Sequence, residues 1–406
     1  MEAVILAAGE GKRMHPLTYT RPKVMLSVAN RPTLEHLIVE LRKAGVSTVV
    51  LVVGYRDDTI RAHFGNGDKW GIEIKYVSQR KQLGTADALR SAAHLLQDRF
   101  LVINGDAILE KSDIERIMQE KEMVLGVKEV ENPADFGVVE IVDGKVAGIL
   151  EKPENPPTNL INAGVYCFNE EIFEFIEATP ISRRGEYEIT DSIQMALDSG
   201  IEFKAMNIGR WIDMGYPWDL LDANKALLND LLAGSDIQGE IEEGAVIQGE
   251  IFLSENSIIR SGSYIVGPVM IGRNCDIGPN CYIRPHTSIG DDCHIGAGVE
   301  IKNSIIMSGT KVPHLSYVGD SIIGENCNLG AGTKIANLRH DGGDVHATVG
   351  DRIISTRRRK FGAVIGDNTK TGINVTINTG TMIGNYVLIA PGAVVEGTIQ
   401  PFTKVF

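Results

Sequence analysis

No apolar run in this chain approaches the ~18 residues that a membrane-spanning helix needs, which speaks against a membrane partner. Positive charge is also scarce. Lys and Arg number 40 against 53 Asp and Glu, for a net charge of −13, and the sequence pI is near 5.2. Nucleic acid as the main ligand would require a basic face, so that class is set aside. Cysteine is rare, with five in 406 residues, and neither a CxxC nor a Cys/His set at zinc-ligand spacing is present. Four of the five (Cys275, Cys281, Cys293 and Cys327) take the place in a repeat where Ser263, Thr287, Thr333 and Thr369 stand elsewhere. They read as small side chains filling tight corners. The opening MEAVILAAGEGKRM has no leading basic segment and no small-residue cleavage site, so a cytoplasmic protein without disulfides is expected.

The length suggests two domains, and 43% hydrophobic residues suffice for two cores. In the second half an aliphatic side chain returns every sixth residue. The column runs Ile241, Ile247, Leu253, Ile259, Ile265, Ile271, Ile277, Ile283, Ile289, Ile295, Ile301 and Met307. Neither a helix nor an alternating strand repeats at that period. Six residues per repeat is the pattern of a parallel β-helix, with one short strand and one corner per hexad. The register slips after Met307, resumes at Ile323, Leu329 and Ile335, and returns from Ile365 through Thr371, Ile377, Ile383 and Ile389 to Val395.

The first half alternates short apolar strands with helical stretches, which predicts a mostly parallel α/β sheet with helices on both sides. Ligands of such sheets collect at the carboxyl ends of strands. Gly9 to Lys23, Gln79 to Thr85 and Asp106 fall there. The loop Gly9-Glu10-Gly11-Lys12-Arg13-Met14 is not a P-loop, since no Gly-Lys-Ser/Thr closes it, and it lacks the third glycine of the dinucleotide fingerprint.

The longer string LAAGEGKRMHPLTYTRPKVML resembles the sugar-1-phosphate nucleotidylyltransferases, marked by a glycine loop, Arg, Pro-Leu-Thr and Pro-Lys. The resemblance implies a Rossmann-like domain over 1–216 that binds UTP or dTTP. Leu6, Gly9, Gly11, Gln79, Gln82, Gly84 and Thr85 would hold the nucleotide, with Gln79 or Gln82 and the Gly84 backbone reading a pyrimidine. Arg13 and Lys23 would neutralise the phosphates, and Asp106 and Asp213 would hold Mg²⁺. Gly137, Glu151, Lys152 and Asn162 align with residues that bind the hexose and its phosphate.

A helical linker over 217–235 leads to the repeats of 236–406, which the resemblance makes a left-handed parallel β-helix. There Lys311-Val312-Pro313-His314-Leu315-Ser316-Tyr317-Val318-Gly319-Asp320 resembles the acetyltransferase half of the bifunctional bacterial enzymes that form UDP-N-acetylglucosamine. In that family the histidine of His-Leu-Thr-Tyr-Leu-Gly-Asp is catalytic. His314 is thus expected to be the general base, Arg284 and Lys302 to hold a sugar phosphate, and Tyr317, Asn328 and Asn337 to bind substrate. Acetyl-CoA would be the co-substrate, and the β-helix would form a homotrimer.

After Asn337 an insertion reaches the basic run Arg357-Arg358-Arg359-Lys360, a form that looks like the archaeal relatives. Two readings of that run stand side by side: a solvated loop, or a phosphate contact for the sugar or coenzyme A. Two rivals to the bifunctional reading also stand. One is a monofunctional NDP-glucose pyrophosphorylase whose β-helix only trimerises, and the other is a non-catalytic regulatory subunit.

Overall fold

In the first half, runs such as Val49–Val53 are apolar at every position, which suits a strand covered on both faces. The computed structural model, which describes residues 1–212, 214–232 and 234–406, has a nine-stranded sheet there. Its strands are β1 (Glu2–Ala7), β2 (Thr48–Val53), β3 (Glu73–Ser78), β4 (Arg99–Asn104), β5 (Met123–Glu129), β6 (Gly137–Val142), β7 (Lys145–Glu151), β8 (Leu160–Asn169) and β9 (Phe203–Asn207). They lie in the order β3-β2-β1-β4-β8-β5-β9-β7-β6. The first four are parallel, with Ile5 opposite both Leu51 and Ile103, as the alternation predicts. From β8 the sheet is mixed, because β8 runs antiparallel to β4 and β5.

Alternate residues serve two cores. Ile5, Val49, Leu51 and Val53 face one cluster, which also takes Leu34 and Leu37 of α1 (Thr33–Lys43), whereas Val4, Val50 and Val52 face the other with Leu89. The strand order reverses between β1 and β4. The loop after Ala7 and the turn at Gly105-Asp106 therefore flank the crevice where such sheets bind ligands.

In the second half the short strands stack into parallel sheets, and over the regular stretches a residue pairs with the one 18 further on. Ile259 lies opposite Ile277, then Ile295, and Ile265 opposite Ile283, then Ile301. Three hexads thus make one coil, and the aliphatic column fills a single buried core with Cys275, Cys281, Cys293 and Cys327 in it. All five cysteines are free and buried.

One expectation is corrected. The slip comes before Met307, not after it: Ile289 pairs with Ile306, and Ile301 with Val318. Ile306 takes the column place and Met307 does not belong to that core. Both side chains are aliphatic and adjacent, so hydrophobic spacing alone did not separate them. The step from Ile301 to Ile306 is one residue short, as is the step from Val318 to Ile323. The insertion follows Ile335 at the same corner, and it contains a hairpin of His346–Val349 with Arg352–Ser355.

The chain divides into two compact units: Met1–Glu10, Arg21–Met25 and Thr33–Asp213, and then Gly11–Thr20, Leu26–Pro32 and Met214–Phe406. Two short pieces of the signature region therefore group with the coils, which a cut at residue 216 does not capture. Side-chain hydrogen bonds within the second unit explain the grouping. Thr20 Oγ1 donates to Asp367, the Ala29 N–H donates to Asn224 of the helix Asp219–Leu231, and Asn30 Nδ2 donates to the Ile289 carbonyl. No helix among the described residues is long and apolar enough to cross a membrane.

Candidate active sites

In the first unit, Lys23 and Asp106 form a direct ion pair, with both side chains largely shielded from solvent. Asp106 sits where β4 ends, and Lys23 opens a one-turn 3₁₀ helix. An ammonium and a hard carboxylate oxygen are thus side by side, a pairing suited to a phosphate and a divalent cation. Asp213, the other carboxylate expected on the metal, lies outside the described residues.

Gln79 is buried, and its amide is committed within the protein. Nε2 donates to the Gly84 carbonyl at 3.1 Å and to Asp87 at 2.8 Å, so it braces the loop. Gln82 is the exposed member of the pair, with Nε2 donating to the Ala8 carbonyl at 2.8 Å. Gly84 precedes the helix Thr85–Ala92 at φ 108°, and a Cβ there would lie 2.4 Å from the Tyr187 carbonyl oxygen. No other residue fits that approach. The Thr85 hydroxyl accepts from the Ile189 N–H, which ties this loop to the next segment. Gly9 opens onto free space, and Leu6 is half-buried on β1.

On the sugar side, Glu151 accepts from Arg184 at 3.0 Å and from Thr190 at 3.1 Å, with the Lys152 ammonium 3.8 Å away. Gly137 packs against it, and a Cβ there would meet Glu151 at 3.2 Å. Asn162 donates to the Tyr166 hydroxyl and accepts from the Gly164 N–H. Arg184 also donates to buried Glu188, whose carboxyl is pushed above its ordinary range by burial and then by the charge of Glu151. Arg184, Glu188 and Thr190 were not singled out from the sequence. Their only signal was a charged stretch, Arg183-Arg184-Gly185-Glu186-Tyr187-Glu188, just before a helix.

In the second unit, Arg13 is exposed on its loop, with its guanidinium 5.2 Å from the centre of the Tyr216 ring, which stacks on Trp218. Gly11 before it takes φ 70°, open to glycine.

The coils bring four of the expected acetyl-site residues to one corner. Arg284 and Lys302 follow the paired Ile283 and Ile301, one coil apart. Arg284 donates to Glu300 at 2.9 Å, and Lys302 pairs with buried Asp320 at 2.8 Å. The Asn337 amide donates to the Tyr317 hydroxyl at 3.2 Å and to Asp320 at 2.5 Å. Burial, then the carboxylates of Asp320 and Glu300, push the Tyr317 hydroxyl up, so it stays a phenol. Gly319 leaves room for this contact, since a Cβ would sit 2.6 Å from the Tyr317 oxygen.

His314 and Asn328 lie elsewhere on the coil. His314 is exposed at the corner before the strand Tyr317–Gly319, and Asn328 bridges Lys311 and Lys370 on another sheet. Among the described residues no hydrogen bond links either side chain to the Lys302–Asp320–Asn337 group. The basic run also divides. Arg358 pairs with Asp222 at 2.6 Å and is mostly buried, whereas Arg357, Arg359 and Lys360 are exposed. Beside the insertion opens a cavity of about 680 Å³ lined by Leu338, Arg339, His346, Thr348, Asn378 and Glu396 among others.

Known proteins share these features. The family model for nucleotidyl transferases matches residues 2–230, that for the GMPPB C-terminal domain matches 265–359, and that for the bacterial transferase hexapeptide (six repeats) matches 362–397. The bifunctional protein GlmU of Methanocaldococcus jannaschii is 43% identical over 100% of this chain and 97% of its own length. A bifunctional sugar-1-phosphate nucleotidylyltransferase/acetyltransferase of Sulfurisphaera tokodaii is 44% identical over 98% of this chain and 97% of its own. Among solved structures, a Bacillus anthracis protein described as a glucose-1-phosphate thymidylyltransferase superposes with a TM-score of 0.53 at 30% identity. It covers 58% of this chain and 98% of its own.

Proposed function

Since the chain belongs to the family of bifunctional sugar-1-phosphate nucleotidylyltransferases and acetyltransferases, we propose a two-step route to UDP-N-acetylglucosamine or its dTDP counterpart. It acetylates glucosamine 1-phosphate with acetyl-CoA, then joins the N-acetylated product to the nucleotidyl group of UTP or dTTP with release of pyrophosphate. One observation carries this reading: two cations, a phenol and an asparagine amide meet at a single corner of successive coils, a set that suits a phosphorylated amino sugar. A protein that only trimerises has no need of that group.

In the acetyl step, His314 takes a proton from the sugar ammonium, and the freed amine attacks the thioester carbonyl. The carbon–sulfur bond then breaks, and the departing thiolate takes up a proton. Arg284 and Lys302 hold the phosphate, Tyr317, Asn328 and Asn337 hold the sugar and acetyl groups, and the cavity beside the insertion seats acetyl-CoA. Because His314 stands at a different corner, a neighbouring copy completes the site in a homotrimer whose coils wind left-handedly.

In the nucleotidyl step, a phosphate oxygen of the N-acetylated sugar attacks the α-phosphorus in line, and no covalent enzyme intermediate forms. Lys23 and Arg13 neutralise phosphate charge, and Gln82 with the Gly84 backbone reads the pyrimidine. Glu151, braced by Arg184 and Thr190, takes hexose hydroxyls beside Gly137, Lys152 and Asn162. Asp106 and Asp213 would hold Mg²⁺, which would supply further neutralisation of the phosphate charge when bound. The setting is cytoplasmic.

Incubation with glucosamine 1-phosphate, acetyl-CoA, UTP and Mg²⁺, followed by mass spectrometry, should yield UDP-N-acetylglucosamine. Product from N-acetylglucosamine 1-phosphate should need UTP but not acetyl-CoA. If glucose 1-phosphate is uridylylated while the amino sugar is never acetylated, the monofunctional alternative holds instead.

A further inference from the structure

Two short steps of the coil, Ile301 to Ile306 and Val318 to Ile323, fall at the same corner, and that corner stacks three polar side chains. Asn303, Asp320 and Asn337 each stand two residues after a column residue, namely Ile301, Val318 and Ile335. Asp320 is the middle rung and is 4% exposed. Its Oδ1 accepts from Asn303 Nδ2 at 2.8 Å, and its Oδ2 accepts from Lys302 Nζ at 2.8 Å and from Asn337 Nδ2 at 2.5 Å. Backbone bonds hold it in register, because its N–H donates to the Lys302 carbonyl and its carbonyl accepts from the Gly362 N–H.

An ionised carboxylate only accepts, so each amide facing it must present its NH₂ group. For Asn337 this is decisive. Both N–H groups are used, one on Asp320 and one on the Tyr317 hydroxyl, which leaves the amide oxygen as the group available to a ligand. An outward carbonyl oxygen accepts from an amine, an ammonium or a hydroxyl, the groups that an amino sugar offers. The same carboxylate keeps the half-buried Lys302 ammonium at the corner, where a phosphate competes for it.

We propose that Asp320 is a positioning residue of the amino-sugar site, orienting the Asn337 amide and parking Lys302 through one buried carboxylate. The inference rests on the acetyl-transfer reading above. Asp320→Asn keeps the shape but sets an amide donor against at least one of the three donors it faces. The amino-sugar KM is then expected to rise tenfold or more, with the acetyl-CoA KM within twofold and nucleotidyl transfer from N-acetylglucosamine 1-phosphate unchanged. An unchanged amino-sugar KM overturns the proposal, even if thermal stability falls.

If Asp320→Asn does not fold, Lys302→Met is compared with Lys302→Met/Asp320→Asn, which removes both charges together. A further loss in the double variant supports orientation of Asn337, and equal kinetics overturn it. Calorimetry with glucosamine 1-phosphate separates this proposal from the reading beneath it. A wild type that binds the sugar but never acetylates it sinks the acetyl-transfer reading, while a tenfold weaker Kd in the variant still upholds Asp320. A wild type that acetylates beside a variant of unchanged KM sinks Asp320 alone. A wild type that neither binds nor acetylates sinks both.

Discussion

The two units build their sites by different rules. In the sheet unit the groups that meet are separated by irregular stretches of chain: Lys23 and Asp106 by 83 residues, Gln82 and the Ala8 carbonyl by 74, Glu151 and Thr190 by 39. In the coils the spacing is nearly constant. Lys302 reaches Asp320 over 18 residues, and Asn303 and Asn337 each reach it over 17. A periodic backbone turns distance along the chain into distance in space. Contacts in the coils can therefore be worked out by counting, whereas contacts in the sheet depend on topology that no count supplies.

That contrast is sharpest if the two chemistries can be removed one at a time. Lys23→Ala strips the cation beside Asp106 and is expected to lower nucleotidyl kcat by about 10²–10³, the scale for losing one charge-stabilising donor. Acetyl transfer in the same variant should stay within twofold, measured by thiol release from acetyl-CoA. The reverse experiment is His314→Ala, where acetyl transfer should fall by roughly 10²–10⁴, the usual worth of a general base, with nucleotidyl transfer intact. If either variant silenced both reactions, the independence of the two sites would be refuted.

How far each site was legible follows from the same contrast. The column from Ile241 to Ile301 was readable because a period of six admits no other regular structure, and the same period puts Arg284 and Lys302 one coil apart, whereas Tyr317 and Asn337 were joined to them only by the family resemblance. The misplacement of Met307 for Ile306, which also hid Val312 and Val318 as column residues, arose where two aliphatic residues adjoin and hydrophobicity carries no register. In the sheet unit the strings LAAGEGKRM and Ile-Asn-Gly-Asp marked the strand ends. Nothing in them said that Gln79 would spend its amide on Gly84 and Asp87, nor that Arg184 would reach Glu151. The insertion was visible only as lost periodicity. That Arg358 would be a strut to Asp222 required the helix against which it lies.

Packing tests the rule at a smaller scale. Ile295→Ala empties part of the coil core at a residue buried between Ile277 and Val312, and is expected to cost roughly 2–5 kcal/mol. Calorimetric unfolding should show the loss while Lys23-dependent nucleotidyl turnover at 25 °C is kept. A loss well under 1 kcal/mol would mean that the coils close over the gap, and that the column is looser than its regularity implies.

The smallest effect concerns Glu188, where the sheet unit keeps a buried carboxyl without periodic support. Burial, reinforced by Glu151, raises its pKa in the folded state, and Arg184 opposes the shift only in part. A raised carboxyl pKa means that the folded protein binds its proton more tightly than the unfolded chain does. The resulting stabilisation is complete below the ordinary glutamate value of about 4.3 and is lost as pH rises through the raised one. Near neutrality the charged side chain is therefore a cost that Glu188→Gln removes, although the amide gives Arg184 a weaker partner. The variant should melt slightly higher than the wild type at pH 7–8, with the gap closing towards pH 4. A gap that holds constant across that range would mean that the Arg184 contact, and not burial, governs this position.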